Sequence, residues 1–124
     1  MDPKESNLIL ISCSGASNTG CYADRAVREI AEAGQAEMVC LPKIAINDKK
    51  LIEKLKTTSK QIVVVDGCPL NCAERILKEH GIENFTHINV TQFDIKKGQT
   101  PLTKEKLTEV VDHIKSLDTS YVLQ

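Results

Sequence analysis

The sequence has few aromatic residues and no marked excess of charge of either sign. Its 124 residues include two tyrosines, two phenylalanines and no tryptophan, and 16 lysines and arginines stand against 17 aspartates and glutamates. A nucleic-acid-binding surface usually needs a basic stripe for the phosphates and aromatic rings for base stacking. We therefore expect no nucleic-acid partner.

Long hydrophobic runs are also missing. The longest apolar stretches, such as residues 8–11, are too short for a signal peptide or a membrane span, and the chain starts with the polar stretch MDPKESN. We expect a soluble, cytoplasmic protein without a membrane partner. In that reducing compartment the five cysteines favour metal binding or thiol chemistry over structural disulfides, and a chain of this length can fold without disulfides.

Short apolar runs of strand length alternate with segments of helical period. Strands are predicted at residues 8–12, 37–41, 61–66 and 85–90. The alternation predicts an α/β fold of three α/β/α layers, whose mostly parallel sheet has at least four strands in the flavodoxin-like order 2-1-3-4. We expect one domain over residues 1–124, in which residues 118–124 form either a tail or a short edge strand.

The predicted helix ends carry typical capping residues. Asp48 is placed to cap the second helix and Thr103 the last one, while Gly34 and Gly81 lie where the first and third helices should stop.

Four cysteines are predicted to lie at one edge of this sheet, the edge formed by the carboxyl ends of its strands. They are Cys13, Cys40, Cys68 and Cys72. Neighbouring strands are about 4.8 Å apart, and ligands of such sheets bind beyond the carboxyl ends. A set of four thiolates suits Zn²⁺ or an iron–sulfur cluster.

The stretch DGCPLNC, residues 66–72, favours exposed thiolates. Gly67 is expected to leave the strand in a conformation closed to other residues, and Pro69 stiffens the turn. Cys72 falls in the first turn of a helix, where free N–H groups and the helix dipole stabilise a thiolate. Asp66 is predicted to support the site or to accept hydrogen bonds at the helix N-terminus, and not to act as a ligand.

Other interpretations stay open for individual residues. Cys40 taken alone fits a small buried hydrophobic residue. Cys21, early in the first helix, could be an alternative ligand or a resolving thiol. The three histidines are left out of the predicted site, and His87 is expected far from the carboxyl edge.

The loop CSGASNTGC also resembles the oxyanion loop of low-molecular-weight phosphatases and arsenate reductases, in which a cysteine is the nucleophile. That chemistry needs an arginine six residues after the cysteine, and Thr19 stands there. The loop residues Ser14, Gly15, Ser17, Asn18 and Gly20 can still form a small anion pocket or donate N–H groups to sulfur.

Several stretches together resemble the DGC-domain family. They are residues 13–18 (CSGASN), 40–41 (CL), 66–73 (DGCPLNCA) and 87–91 (HINVT). The resemblance implies zinc binding, with Cys13, Cys40, Cys68 and Cys72 as the chelating cysteines. Two features depart from the family pattern, namely Cys21 and the segment PKIA at residues 42–45.

The leading hypothesis is a protein that binds one Zn²⁺ through these four cysteines, with a role in metal or sulfur handling. One alternative is a thiol-based redox or oxyanion-handling enzyme that uses Cys13 with Cys21 or Cys68 with Cys72. Another is an iron–sulfur protein on the same four cysteines. No catalytic residue is assigned, and a non-enzymatic role is favoured.

Overall fold

The computed structural model of the chain describes residues 6–119. Its strands are β1 (Leu8–Ser12), β2 (Glu37–Met38), β3 (Gln61–Asp66) and β4 (Thr86–Asn89). Its α-helices are α1 (Asn18–Glu32), α2 (Leu41–Ala45), α3 (Lys49–Thr57), α4 (Cys72–Glu79) and α5 (Lys104–Ser116). A 3-10 helix, Val90–Phe93, follows β4 directly.

The four strands pair in parallel in the order β2-β1-β3-β4, which confirms the predicted order. Leu10 of β1 lies beside Met38 of β2 on one side and Val63 of β3 on the other. Helices α1 and α5 pack against each other, and α2 contacts both α3 and α4. The helices thus form two groups, as in a three-layer α/β fold in which each crossover between parallel strands contains a helix.

The two central strands form the middle of the core. All five side chains of β1 are buried, as are those of Ile62 to Asp66 in β3. Such unbroken burial is typical of parallel strands that are covered on both faces. None of the helices within residues 6–119 has the length and apolarity to cross a membrane.

Most of the predicted helix ends are confirmed. The side chains of Asp48 and Thr103 accept hydrogen bonds from the N–H groups of Leu51 and Lys106, as N-caps do. Gly34 and Gly81 follow α1 and α4 with positive φ angles of 79° and 77°. Both angles lie in the left-handed region that glycine adopts without steric cost.

The second strand is shorter than predicted, and this changes the edge of the sheet. The prediction of a strand through residue 41 is wrong, because α2 begins at Leu41 with a proline in its first turn. The last ladder contact is the Val39 N–H donating to Leu10 O at 3.1 Å. The predicted tail or edge strand falls largely on residues 120–124, outside the described residues.

Replacing Thr103 with alanine is expected to lower the free energy of unfolding by about 1 kcal/mol, since the first turn of α5 loses its side-chain acceptor. Thr103→Ser keeps the hydroxyl and should lose less than half as much. Urea denaturation followed by circular dichroism measures both changes. Equal losses for the two variants would contradict a capping role.

Candidate functional site

The candidate site lies where the chain leaves β1, β2 and β3 at their carboxyl ends. We call the surface formed by residues 13–20, 39–42 and 67–72 the carboxyl rim. It contains four of the five cysteines, all except Cys21, and none of the five forms a disulfide in the structure. The predicted ligands therefore share one edge of the sheet, although they differ in exposure.

Cys13 and Cys68 are the two cysteines at the centre of the carboxyl rim. The backbone N–H of Cys13 continues the sheet by donating to Val65 O at 3.1 Å. Its Sγ accepts a hydrogen bond from the N–H of Gly67 at 3.1 Å, which joins the ends of β1 and β3. Cys13 is buried, while Cys68, which follows Gly67 in the chain, is partly exposed.

Burial raises the pKa of the Cys13 thiol above its usual value, and the nearby negative charge of Asp66 and the Cys68 sulfur raise it further. The N–H groups of Gly67 and Gly15 oppose this shift by donating towards the sulfur. A thiolate at Cys13 would therefore need a compensating positive charge close by, and a bound metal cation provides one.

Asp66, the last residue of β3, joins three elements through one carboxylate. It is 1% exposed, and its Oδ1 and Oδ2 accept the N–H groups of Ala73 and Glu74 at 2.8 and 3.0 Å. Its Oδ2 also lies 2.8 Å from Nε2 of His87 on β4. This arrangement confirms the predicted acceptor role at the N-terminus of α4.

His87 was expected far from the carboxyl edge, and this expectation is wrong. His87 is the second of the four residues of β4, beside Val64 of β3, but its side chain reaches Asp66 and Glu74, whose Oε2 is 3.4 Å from Nδ1. Its imidazole therefore lies between two carboxylates that also belong to β3 and α4. This places His87 behind the DGCPLNC loop as a residue that positions it.

Asn89 holds the same loop from the other side. Its Nδ2 donates to the carbonyl of Cys68 and to Oδ1 of Asn71, both at 2.7 Å. Asn71 has a φ of 54°, a left-handed conformation that asparagine tolerates better than most residues. The backbone around Cys68 is thus fixed by side chains from β4 and from the loop itself.

Gly67 is required by a close approach between two loops, and the predicted reason was wrong. The positive-φ glycines within residues 6–119 are Gly34, Gly81 and Gly98. A Cβ atom on Gly67 would instead lie 2.5 Å from the backbone N of Gly20. Because this contact is backbone against backbone, only a residue without a side chain fits there.

The remaining cysteines lie further from this centre. Cys72 is the first residue of α4, as predicted, and it is exposed. Cys40 occupies the N-cap position of α2 without a side-chain hydrogen bond and is also exposed, so its interpretation as a buried hydrophobic residue is wrong. Cys21 lies in the first half of α1 and is partly buried.

The five cysteines are not gathered into one cluster. In the part of the chain that the structure describes, no three side chains of His, Cys, Asp or Glu are close enough to hold a metal ion together. The donor types fit a soft cation, and Cys68 is the cysteine close enough to Cys13 to raise the pKa of its thiol.

Two residues that hold the DGCPLNC loop in place were not found from residue patterns alone. His87 and Asn89 both belong to the stretch HINVT, which carries part of the family resemblance. That stretch was the available signal, but the contacts of these residues with the DGCPLNC loop depend on where β4 ends.

Comparisons with known proteins identify the family of this chain. A family profile described as "DGC domain" matches residues 9–114, from β1 into α5. The chain is 28% identical over 89 residues to "Anaerobic and virulence modulator AnvM" of Pseudomonas aeruginosa (strain PAO1), which covers 72% of this chain and 67% of that protein. No solved structure matches the chain significantly. Since the profile match covers most of the chain and includes the three motif loops, the chain belongs to the DGC-domain family.

Proposed function

We propose that this protein binds one Zn²⁺ at the carboxyl rim through Cys13, Cys40, Cys68 and Cys72. Membership of the DGC family supports a metal-binding role, and the identity of the metal is part of the proposal. Residues 1–124 would then form one metal-binding domain. Four thiolates around Zn²⁺ make a closed site, which suits metal storage, transfer or structural support better than catalysis.

The observation that carries the proposal is the pairing of Cys13 with Cys68. The Gly67 N–H donates to the Cys13 sulfur, and Cys68 follows directly in the chain, so two potential ligands adjoin one backbone donor. Hydrogen bonds from N–H groups to sulfur are a common support of metal–thiolate sites.

Cys40 and Cys72 are the ligands that would complete the set. Both are exposed and lie at the start of a helix, so neither thiol is held in the core. In residues 6–119 these thiols do not yet converge with the Cys13–Cys68 pair. The proposal therefore requires that the Cys40 and Cys72 thiols move towards Cys13 and Cys68 when the metal binds, as is common where the metal completes its own site.

A non-catalytic role is part of the proposal. The relative from Pseudomonas aeruginosa is named as a modulator. For this chain we propose a role in metal or sulfur handling, in which the loaded rim is the functional state.

Metal analysis of reduced, anaerobically purified protein tests the proposal. We expect one zinc per chain, and a loss of zinc affinity of more than about 100-fold when Cys13, Cys40, Cys68 or Cys72 is replaced by serine, because loss of a direct ligand should exceed the 10–100-fold effect of an outer partner. Cys21→Ser is the matched control and should keep its zinc.

Three results would contradict the zinc proposal. Iron with inorganic sulfide and a brown colour would indicate an iron–sulfur cluster on the same cysteines. A metal-free protein with a reversible two-electron thiol titration would favour a redox pair. Loss of zinc in Cys21→Ser together with retention in Cys40→Ser would assign a different ligand set.

A further inference from the structure

A cavity lies beside β1 where β2 ends early. Because β2 stops at Met38 and α2 begins at Leu41, the last residue of β1 has no strand beside it on this side. The space forms a cavity of about 300 Å³. This volume is at the lower end of the range found for small-molecule sites.

Ser12, the last residue of β1, lines this cavity, and its hydroxyl has no hydrogen-bond partner within residues 6–119. The residue is 2% exposed. Buried hydroxyl groups in native proteins are almost always paired, so an unpaired one needs an explanation. A ligand acceptor in the cavity would provide the missing partner.

Arg28 is the charged side chain that lines the cavity. Its Nε donates to Asp24 Oδ2 at 2.8 Å, while its terminal amino groups make no hydrogen bond within the described residues. No aspartate or glutamate in the described part of the chain lines the cavity. The cavity therefore favours an anion, and because Asp24 already offsets part of the Arg28 charge, it favours a single negative charge.

Apart from Ser14 and Cys40, the rest of the wall is apolar. The lining side chains of this kind are Met38, Val39, Leu41 and Pro42. An apolar wall with a few convergent polar groups is typical of a site for a small organic molecule. Cys40 lies in the same wall, with its thiol accessible.

We propose that this cavity binds a small aliphatic carboxylate. The Ser12 hydroxyl donates to the carboxylate or to an adjacent acceptor, Arg28 supplies the counter-charge, and the aliphatic body packs on Met38, Val39 and Leu41. The proposal goes beyond zinc binding and does not depend on it. It shares one residue, Cys40, with the proposed metal site.

Titration of methyl-labelled protein with hexanoate, followed by NMR, tests the proposal. Saturable shifts are expected at the methyl groups of Met38, Val39 and Leu41, with a dissociation constant on the order of 1 mM. Hexan-1-ol has the same body without the charge and should bind at least about tenfold more weakly. Hexyl phosphate binding as tightly as hexanoate would overturn the assignment to a carboxylate.

Variants separate a binding site from an unspecific apolar surface. Arg28→Gln should weaken hexanoate binding about tenfold and Ser12→Ala about fivefold, as expected for loss of a charged and a neutral hydrogen bond. Arg25→Gln, an exposed change on the same helix that does not line the cavity, is the matched control. Unchanged affinity in both cavity variants would overturn the proposal.

The stability of Ser12→Ala gives a second readout. If the hydroxyl serves a ligand and has no structural partner, its removal should leave the midpoint of urea unfolding unchanged or raise it while binding weakens. A lowered midpoint would show that Ser12 serves the fold and would overturn its assignment as a ligand donor.

Thiol labelling reports on the position of the ligand. In metal-free protein, hexanoate should slow the alkylation of Cys40 by iodoacetamide and leave Cys72, which is also exposed, unaffected. Equal protection of both thiols, or of neither, would overturn the placement. Hexanoate should still bind Cys13→Ser, which tests this cavity independently of zinc, because that variant is expected to lose the metal but not the cavity.

Discussion

Replacing Asp66 with alanine is expected to lower the free energy of unfolding by about 3 kcal/mol. The variant leaves the N–H groups of Ala73 and Glu74 without their acceptor at the start of α4, and it removes the partner of His87. Leaving a buried donor without its acceptor typically costs about 1–3 kcal/mol, and this variant does so at the start of a helix and beside His87. Glu74 still contacts His87 at 3.4 Å, so the summed loss stays near 3 kcal/mol.

Urea denaturation measures this change, and two further variants make it interpretable. Glu79→Ala removes an exposed carboxylate from the other end of α4 and should stay within about 0.5 kcal/mol of the parent. Asp66→Asn keeps the shape of the side chain and should fall between the two. A loss below about 1 kcal/mol in Asp66→Ala would show that the three contacts do not hold β3, α4 and β4 together.

Replacing Gly67 with alanine should destabilise the protein by about 3 kcal/mol, at the upper end of the usual cost of overpacking. The new methyl group would lie 2.5 Å from the backbone of Thr19 and Gly20, so one of the two loops must move. That movement separates the Gly67 N–H from the Cys13 sulfur. Zinc affinity should therefore fall even though all four proposed ligands remain.

Gly15→Ala is the matched control for this variant. A Cβ atom at Gly15 would lie 3.5 Å from Gly20 Cα, which is an ordinary contact, so its unfolding free energy should change little. Native-state alkylation should detect the loop movement as faster labelling of the buried Cys13 in Gly67→Ala alone. Equal stability of the two alanine variants would contradict the close-approach explanation.

The fold could be predicted well because its signals are local. The apolar runs that form β1 and β3 gave both strands with the bounds that the structure shows, and the capping residues Asp48 and Thr103 gave the starts of two helices. The parallel order followed from the alternation of strands and helices. These features depend on residues that are neighbours in the sequence.

The failures of prediction concern contacts between distant segments. The early end of β2 depends on Pro42, whose place in the first turn of α2 was missed, and this error hid the cavity beside Ser12. The role of Gly67 depends on Gly20, far away in the chain. His87 meets Asp66 only through the register of β3 with β4, which no local pattern reveals.

The candidate site was predictable in its residue types and in its edge of the sheet. How closely the four cysteines approach one another was not predictable, because that depends on the burial and the direction of each side chain. Cys13 turned out buried and hydrogen-bonded, whereas Cys40 and Cys72 are exposed. The sequence pattern treats the four residues alike, but the structure divides them into a central pair and two outer thiols.

X-ray absorption at the zinc edge of the zinc-loaded protein tests the central claim most directly, because it reads the atoms bound to the metal. The account predicts one zinc with four sulfur neighbours at about 2.3 Å, and one fewer sulfur for each serine variant of Cys13, Cys40, Cys68 and Cys72 that still retains metal. Cys21→Ser should give the parent spectrum. A zinc ion bound by two sulfurs and by nitrogen or oxygen atoms at about 2.0–2.1 Å would contradict the four-cysteine site.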